Sequence, residues 1–188
     1  MSKKKNMFKE KIKNNFEYYC SIKESEKRLT VQAILVANRG NHRGRESGIV
    51  DLESDNFSLT FEVERNLSSA KDFKFKIFNH SFMDAPCYRF DSDGSGHLNM
   101  GDINLPERFV ETPHFHRFDK EGDLIAYQTD DWITDKDKLL SDQRAALASF
   151  AREENIVYDE LPNIYNENEL FPPDNKMYDP LEGENFNE

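Results

Sequence analysis

Two stretches of the chain alternate strictly between apolar and polar residues, and this period of two constrains the fold more than any other feature. In residues 57–64, phenylalanine, leucine and valine take every second position between serine, threonine and glutamate. Residues 73–77 repeat the pattern with lysine at the polar positions. Because successive side chains of a β-strand point to opposite faces, each stretch predicts a strand with one buried and one wet face.

Other short strand candidates surround these two. Residues 48–51 are expected to form a hairpin with residues 57–64 through a Ser54-Asp55-Asn56 turn. Residues 29–37 are apolar on both faces, as in a central strand. Repeated short strands joined by compact turns predict an antiparallel meander. The remaining strand candidates are residues 87–91, 114–118 and 124–129.

Two segments carry helical spacing instead, residues 5–28 and 135–154. In the second helix, Thr134 and Asp137 resemble a capping box. The buried stripe of the first helix is Phe8, Ile12, Phe16 and Tyr19, and that of the second is Leu139, Gln143, Ala146, Leu147, Phe150 and Ala151.

The predicted fold class is therefore α+β, an antiparallel β-meander sheet packed by an N-terminal and a C-terminal helix, followed by an extended acidic tail. A chain of 188 residues fits one such domain with a modest appendage. We expect the domain to span residues 1–155, with helix 5–28, sheet 29–130 and helix 135–154.

After Ile156 the composition changes. Residues 156–188 contain four of the seven prolines and nine acidic residues against one lysine, which argues against further regular structure. Aromatic residues recur along this tail, as in acidic segments that dock on a partner, and a merely solubilising tail explains the composition equally well. The docking interpretation assigns partner binding to Tyr158, Tyr165, Phe171 and Tyr178.

Charge and cysteine content limit the function classes. The net charge of −11 argues against broad nucleic-acid binding and leaves room only for a localised contact. No apolar run approaches the roughly 18 residues that cross a bilayer. Cys20 and Cys87 form neither a disulfide framework nor a metal-type pair. We therefore expect a cytoplasmic protein that does not bind membranes and that meets a protein partner through its acidic tail.

An arginine-rich loop is a candidate anion site. Arg39, Arg43 and Arg45 lie in a stretch that also contains two glycines, and clustered guanidiniums on a flexible backbone can hold a phosphate. The alternative is a solvated hairpin tip.

The histidines give the strongest indication of chemistry. In Pro113-His114-Phe115-His116, the period of two places both histidines on one strand face. His97 lies in a turn just after the strand candidate that ends at Asp91. If these segments pair, the three histidines and Asp91 converge.

Three interpretations of this cluster stay open. His97, His114 and His116 with Asp91 have the composition of an open zinc, iron or manganese site. Without a metal, the histidines would serve as general acid and base in RNA cleavage, with Arg89 and Arg117 stabilising phosphate charge. In the third interpretation, the histidines only form hydrogen bonds on a polar strand face.

The residues Tyr88-Arg89-Phe90-Asp91, then His97-Leu98-Asn99, then Pro113-His114-Phe115-His116 resemble a group of small bacterial proteins with an Arg-x-Asp strand, a middle histidine and a closing Pro-His-x-His. The pattern is similar to that of the TumE-type toxins of toxin–antitoxin pairs. In order of elements it spans residues 30–129. The chain departs from it by having fewer histidines, an insertion at residues 98–112, an added C-terminal helix and the acidic tail.

The resemblance implies a bacterial toxin–antitoxin or anti-phage defence setting. In that setting we expect a protein-binding or accessory component. The alternative function is a metal-dependent or histidine-based hydrolase, a ribonuclease-like effector that uses His97, His114 and His116.

Overall fold

The computed structural model describes residues 3–38, 44–99, 108–129 and 136–166. Its helices are α1 (Lys3–Asn14), α2 (Phe16–Glu24), α3 (Lys136–Ser141) and α4 (Gln143–Glu153). Its strands are β1 (Lys27–Leu29), β2 (Ala33–Val36), β3 (Arg45–Leu52), β4 (Leu59–Asn66), β5 (Ser69–Phe78), β6 (Tyr88–Asp91), β7 (His97–Leu98), β8 (Phe109–Val110), β9 (His114–Phe118), β10 (Leu124–Tyr127), β11 (Ile156–Tyr158) and β12 (Asn163–Asn166).

A six-stranded antiparallel sheet forms the centre of the fold, with the strand order β10-β9-β6-β5-β4-β3. The predicted α+β class with a meander sheet is confirmed. In the register, Val63 pairs with Phe75, Phe75 with Phe90, and Phe90 with Phe115, so apolar residues line up in a row across one face. That row is the core side of the sheet.

Helix α4 covers the core side through Phe150, whose side chain is fully buried. Its ring centroid lies 5.7 Å from that of Phe75 and 6.2 Å from that of Phe115. Aromatic pairs at such distances add favourable contacts to the burial of their large apolar surfaces. The residues that alternate with this apolar row along each strand point to the opposite face of the sheet. The histidines lie on that face.

Both predicted helices are interrupted. The N-terminal helix breaks at Asn15, whose φ and ψ of −134° and 35° are not helical, and Arg28 lies in strand β1. The predicted C-terminal helix breaks at Asp142. The extended backbone of Asp142 lets its carboxylate accept hydrogen bonds from the backbone N–H groups of Arg144 and Ala145, which caps α4. Thr134, the predicted cap, lies outside the described residues.

The prediction of one central strand over residues 29–37 was wrong, because that segment forms the separate strands β1 and β2. They pair in parallel with β11 and β12, so residues 156–166 are also strand-containing, against the prediction that regular structure ends at Ile156. Polar Thr30 and Gln32 separate β1 from β2, and the Gln32 carbonyl accepts a hydrogen bond from Asn163 N.

Strand β2 lies against β3 at a point where only glycine fits. A Cβ atom on Gly48 would overlap the carbonyl oxygen of Leu35. An antiparallel bridge joins Ala37, just after β2, to Ser47 in β3, and another joins Arg28 in β1 to Glu53, just after β3. Among the described residues, no helix is both long and apolar enough to cross a membrane.

Candidate functional site

Three residues from neighbouring strands meet on the face of the sheet opposite the core. Asp91 ends β6, and His114 and His116 belong to β9. In the register, Asp91 pairs with His114 and Arg89 with His116. Since side chains alternate along each strand, all four point to the same face while Phe90 and Phe115 point to the core.

The ligand atoms of this cluster are close together and almost sealed from solvent. Nε2 of His116 lies 2.8 Å from Nε2 of His114 and 3.2 Å from Oδ2 of Asp91. One ligand atom from each of the three residues lies within 4.8 Å of the others. The exposed fractions of Asp91, His114 and His116 are 7%, 1% and 2%.

The short hairpin of β7 and β8 brings His97 to the same place. The His97 ring centroid lies 5.0 Å from that of His116 and 6.3 Å from that of His114, and its Nε2 lies 3.3 Å from the carbonyl oxygen of Leu124. Asn99 ties the hairpin to the sheet, because its side chain bonds to both N–H and C=O of Ala126. The structure thus brings together the three histidines and Asp91.

Basic side chains surround the cluster. Nη2 of Arg89 lies 2.8 Å from Nε2 of His116 and 3.0 Å from Oδ2 of Asp91. Nζ of Lys74 lies 3.6 Å from the other oxygen of Asp91. Lys74 was not predicted from the sequence as a site residue. Lys74 lies on the polar face of an alternating strand and pairs in register with Asp91, and the alternation was the pattern that could have indicated it.

The cluster opens into a cleft of about 320 Å³. Arg45 lines this cleft, and its guanidinium is held by Glu64 at 2.8 Å and Asp72 at 2.7 Å. One of the three predicted anion-binding arginines therefore shares a surface with the histidines. Arg39 and Arg43 lie outside the described residues.

Arg117 does not reach the cleft. Its guanidinium carbon lies 4.6 Å from the ring centroid of Tyr127, and it lines a larger, mainly apolar groove of about 680 Å³ beside α2. It points to the other side of β9 because it is one residue away from His116 in the alternation. Arg117 therefore does not lie where its predicted catalytic role requires it, beside the histidines. The larger groove lies away from the histidines, and we take the smaller, polar cleft as the candidate site.

Two predicted partner-binding residues are strand residues, Tyr158 in β11 and Tyr165 in β12, and both are half-buried. Phe171 and Tyr178 lie outside the described residues.

Burial determines the charge state of His114 and His116. It lowers the pKa of His114, and it lowers the pKa of His116 to about 4 even though the neighbouring Asp91 raises it. Burial by itself raises the pKa of Asp91, but contact with His116 and the charges of Arg89 and Lys74 hold it well below its usual range. At neutral pH the cluster therefore contains two uncharged imidazoles and one carboxylate.

The protons available do not satisfy the contacts of this cluster. Nδ1 of His114 lies 3.0 Å from the carbonyl oxygen of Glu111, so it donates there, and Nε2 of the neutral ring carries a lone pair. If Nε2 of His116 is also unprotonated, two lone pairs face each other at 2.8 Å. If it is protonated, it opposes an N–H of Arg89 at the same distance. Neither tautomer suits both neighbours.

A metal ion would satisfy all three acceptor atoms at once. With metal–ligand bonds of about 2.1 Å, cis ligands of an octahedral site lie about 3.0 Å apart and those of a tetrahedral site about 3.4 Å. The spacings of 2.8 Å and 3.2 Å around His116 Nε2 fit the cis arrangement. The bond from His114 Nδ1 to a backbone carbonyl is also the usual outer support of a metal-binding histidine.

No protein-family model, curated protein or solved structure matches this chain. The chemistry of the cleft is therefore the basis for the functional proposal.

Proposed function

We propose that the chain is a metal-dependent hydrolase whose metal is held by Asp91, His114 and His116. The observation that supports this is the convergence of three acceptor atoms in a buried cluster, where neither tautomer of His116 suits both His114 and Arg89. Two histidines and one carboxylate are a ligand set for zinc, iron or manganese. A bound metal of this kind supplies a hydroxide at neutral pH and polarises the bond to be hydrolysed.

The chain's own residues supply the other requirements of hydrolysis. The cleft of about 320 Å³ leaves space for a substrate next to the cluster. His97, at the side of the cluster, is partly exposed and is suited to transferring a proton to or from the substrate. Arg89 is close enough to stabilise negative charge.

The first test is metal analysis of protein purified without a histidine tag, together with the double variant His114→Ala/His116→Ala. We expect about one zinc, iron or manganese ion per chain in the wild type and a loss of that metal in the double variant. His80→Ala is the matched control, because His80 is an exposed histidine that stacks on Phe78 outside the cleft. Equal metal in all three proteins, or none after loading with each ion, would overturn the proposal.

The cytoplasmic location also stays a proposal. It is supported by Cys20 and Cys87, which are both free thiols, as expected in a reducing compartment.

The role as a protein-binding component of a bacterial toxin–antitoxin or anti-phage system stays a prediction from the sequence resemblance. The half-buried strand positions of Tyr158 and Tyr165 restrict that role, because part of each side chain is already committed to the fold. A pull-down that compares the full chain with a chain ending at Asn166 would test it.

A further inference from the structure

We propose that Arg89 links metal binding to substrate binding: the metal displaces the guanidinium from His116, and the released guanidinium binds the oxyanion of a phosphate ester. This inference rests on the proposed function and adds the substrate class and a means of regulation.

The displacement follows from the single lone pair of an imidazole nitrogen. Nη2 of Arg89 lies 2.8 Å from Nε2 of His116 and donates to it when that nitrogen is unprotonated. A metal ion would need the same lone pair. Nε2 can therefore accept from Arg89 or coordinate the metal, but it cannot do both.

Charge acts in the same direction. Without a metal, Arg89 at 3.0 Å and Lys74 at 3.6 Å balance the carboxylate of Asp91. A divalent ion at Asp91 would supply that balance by itself and would repel the nearby guanidinium. An anion placed between the metal and Arg89 removes this repulsion, so metal loading favours anion binding.

Arg89 has unused capacity for such an anion. The contacts of its guanidinium with His116 and Asp91 both involve Nη2, and its Nε is buried with no hydrogen-bond partner among the described residues. The planar fork of a guanidinium matches a phosphate with two parallel hydrogen bonds. The cleft beside it is also lined by Lys74 and Arg45. The carboxylates of Asp72, Asp91 and Asp93 line the same cleft and balance its three cations. A divalent metal at Asp91 would leave the cleft positively charged, which favours a phosphate ester over a neutral substrate.

The test compares wild type, Arg89→Met and Arg28→Gln by calorimetric titration, first with Mn²⁺ and then, on the metal-loaded proteins, with inorganic phosphate. Arg28 is the matched control because it is an exposed arginine outside the cleft. In Arg89→Met the metal no longer has to displace a hydrogen bond from Nε2 of His116. We therefore expect Mn²⁺ to bind about tenfold more tightly, which corresponds to about 1.4 kcal/mol. Phosphate should then bind at least about tenfold more weakly, and Arg28→Gln should match the wild type in both.

Failure of this inference differs from failure of the proposed function. If none of the proteins binds Mn²⁺, Zn²⁺ or Fe²⁺, both fall together. If wild type binds zinc or iron but not Mn²⁺, the two titrations are repeated with the ion that binds. If wild type binds Mn²⁺ and Arg89→Met leaves either affinity unchanged, the metal site stands and the role of Arg89 is overturned. Arg89→Lys is the second variant in case Arg89→Met does not fold. It keeps the charge and loses the fork, so we expect smaller changes in the same directions.

Discussion

Nε2 of His114 and Nε2 of His116 lie 2.8 Å apart, in two rings tilted by 77° to one another on the same face of β9. Two neutral imidazole nitrogens at that distance need a proton or another cation between them. The proton of His114 is committed to the carbonyl of Glu111, and a proton on Nε2 of His116 would oppose the Nη2–H of Arg89 at 2.8 Å. This mismatch makes a metal ion the best partner for the pair.

The first prediction concerns Asp91→Asn, which keeps the shape of the side chain and removes its charge. We expect it to lower the free energy of unfolding by about 1–3 kcal/mol, because Arg89 and Lys74 lose a buried partner. We also expect metal affinity to fall by at least about tenfold. Urea denaturation and metal titration measure the two effects.

Asp93→Asn is the control for Asp91→Asn. Asp93 lines the same cleft, but it is exposed and its carboxylate bonds to the neighbouring Gly94 N. The free energy of unfolding of the Asp93→Asn variant should differ from that of wild type by less than about 0.5 kcal/mol. Similar losses in both variants would show that the contacts of Asp91 have no special importance.

A second prediction separates His97 from the metal ligands. His97→Ala should retain the metal, because Asp91, His114 and His116 form the three-ligand cluster without it. It should lower kcat by about 10²–10⁴-fold if His97 transfers the proton. The readouts are metal content and hydrolysis of bis(4-nitrophenyl) phosphate and of an RNA oligonucleotide. Loss of metal in His97→Ala would instead make His97 a ligand, and unchanged kcat would exclude it from proton transfer.

Much of the central sheet could be predicted because each strand contains its own signal. The alternation of apolar and polar residues around Phe61 and Phe75 indicates that one face of each strand is buried. The same period of two places His114 beside His116. The convergence of Asp91 with the histidines needed only the pairing of β6 with β9.

The rest depended on contacts that leave no local pattern. The partners of β1 and β2 come from a segment more than a hundred residues later, where Pro162 and two acidic residues obscure the pattern of the short strands. The helical spacing continues across Asp142, so only the bonds of its carboxylate to Arg144 and Ala145 reveal the break. The contact of Arg89 with His116 depends on the register between β6 and β9, which the sequence does not specify because a long segment separates the two strands.

A third prediction concerns the boundary of the domain. A chain ending at Asn155 loses β11 and β12, whereas a chain ending at Asn166 keeps both. Loss of β11 exposes its partner β1, including buried Leu29, and removes buried Ile156. We expect the shorter chain to have a clearly lower melting temperature than the chain ending at Asn166. Equal melting temperatures would mean that the two strands add nothing to stability and that the domain ends at residue 155.

The last prediction concerns Glu154, which directly follows α4. Its side chain is fully buried, and neither carboxylate oxygen has a hydrogen-bond partner among the described residues. Burial raises its pKa to about 7, with Glu153 adding to the rise and Lys23, Lys27 and Arg117 opposing it. Because the folded-state pKa exceeds the ordinary value of 4.5, the folded protein holds an extra proton between these two pH values.

The stability that this proton contributes is complete below about pH 4.5 and is lost as the pH rises through about 7. Glu154→Gln removes the ionisation. We therefore expect the free energy of unfolding of Glu154→Gln minus that of wild type to increase between pH 5 and pH 8, by up to about 3 kcal/mol. Urea denaturation at several pH values measures the difference. Glu160→Gln is the control, since Glu160 is exposed and its removal should leave the pH dependence of the wild type intact. A pH-independent difference between Glu154→Gln and wild type would mean that Glu154 keeps an ordinary pKa in the folded protein.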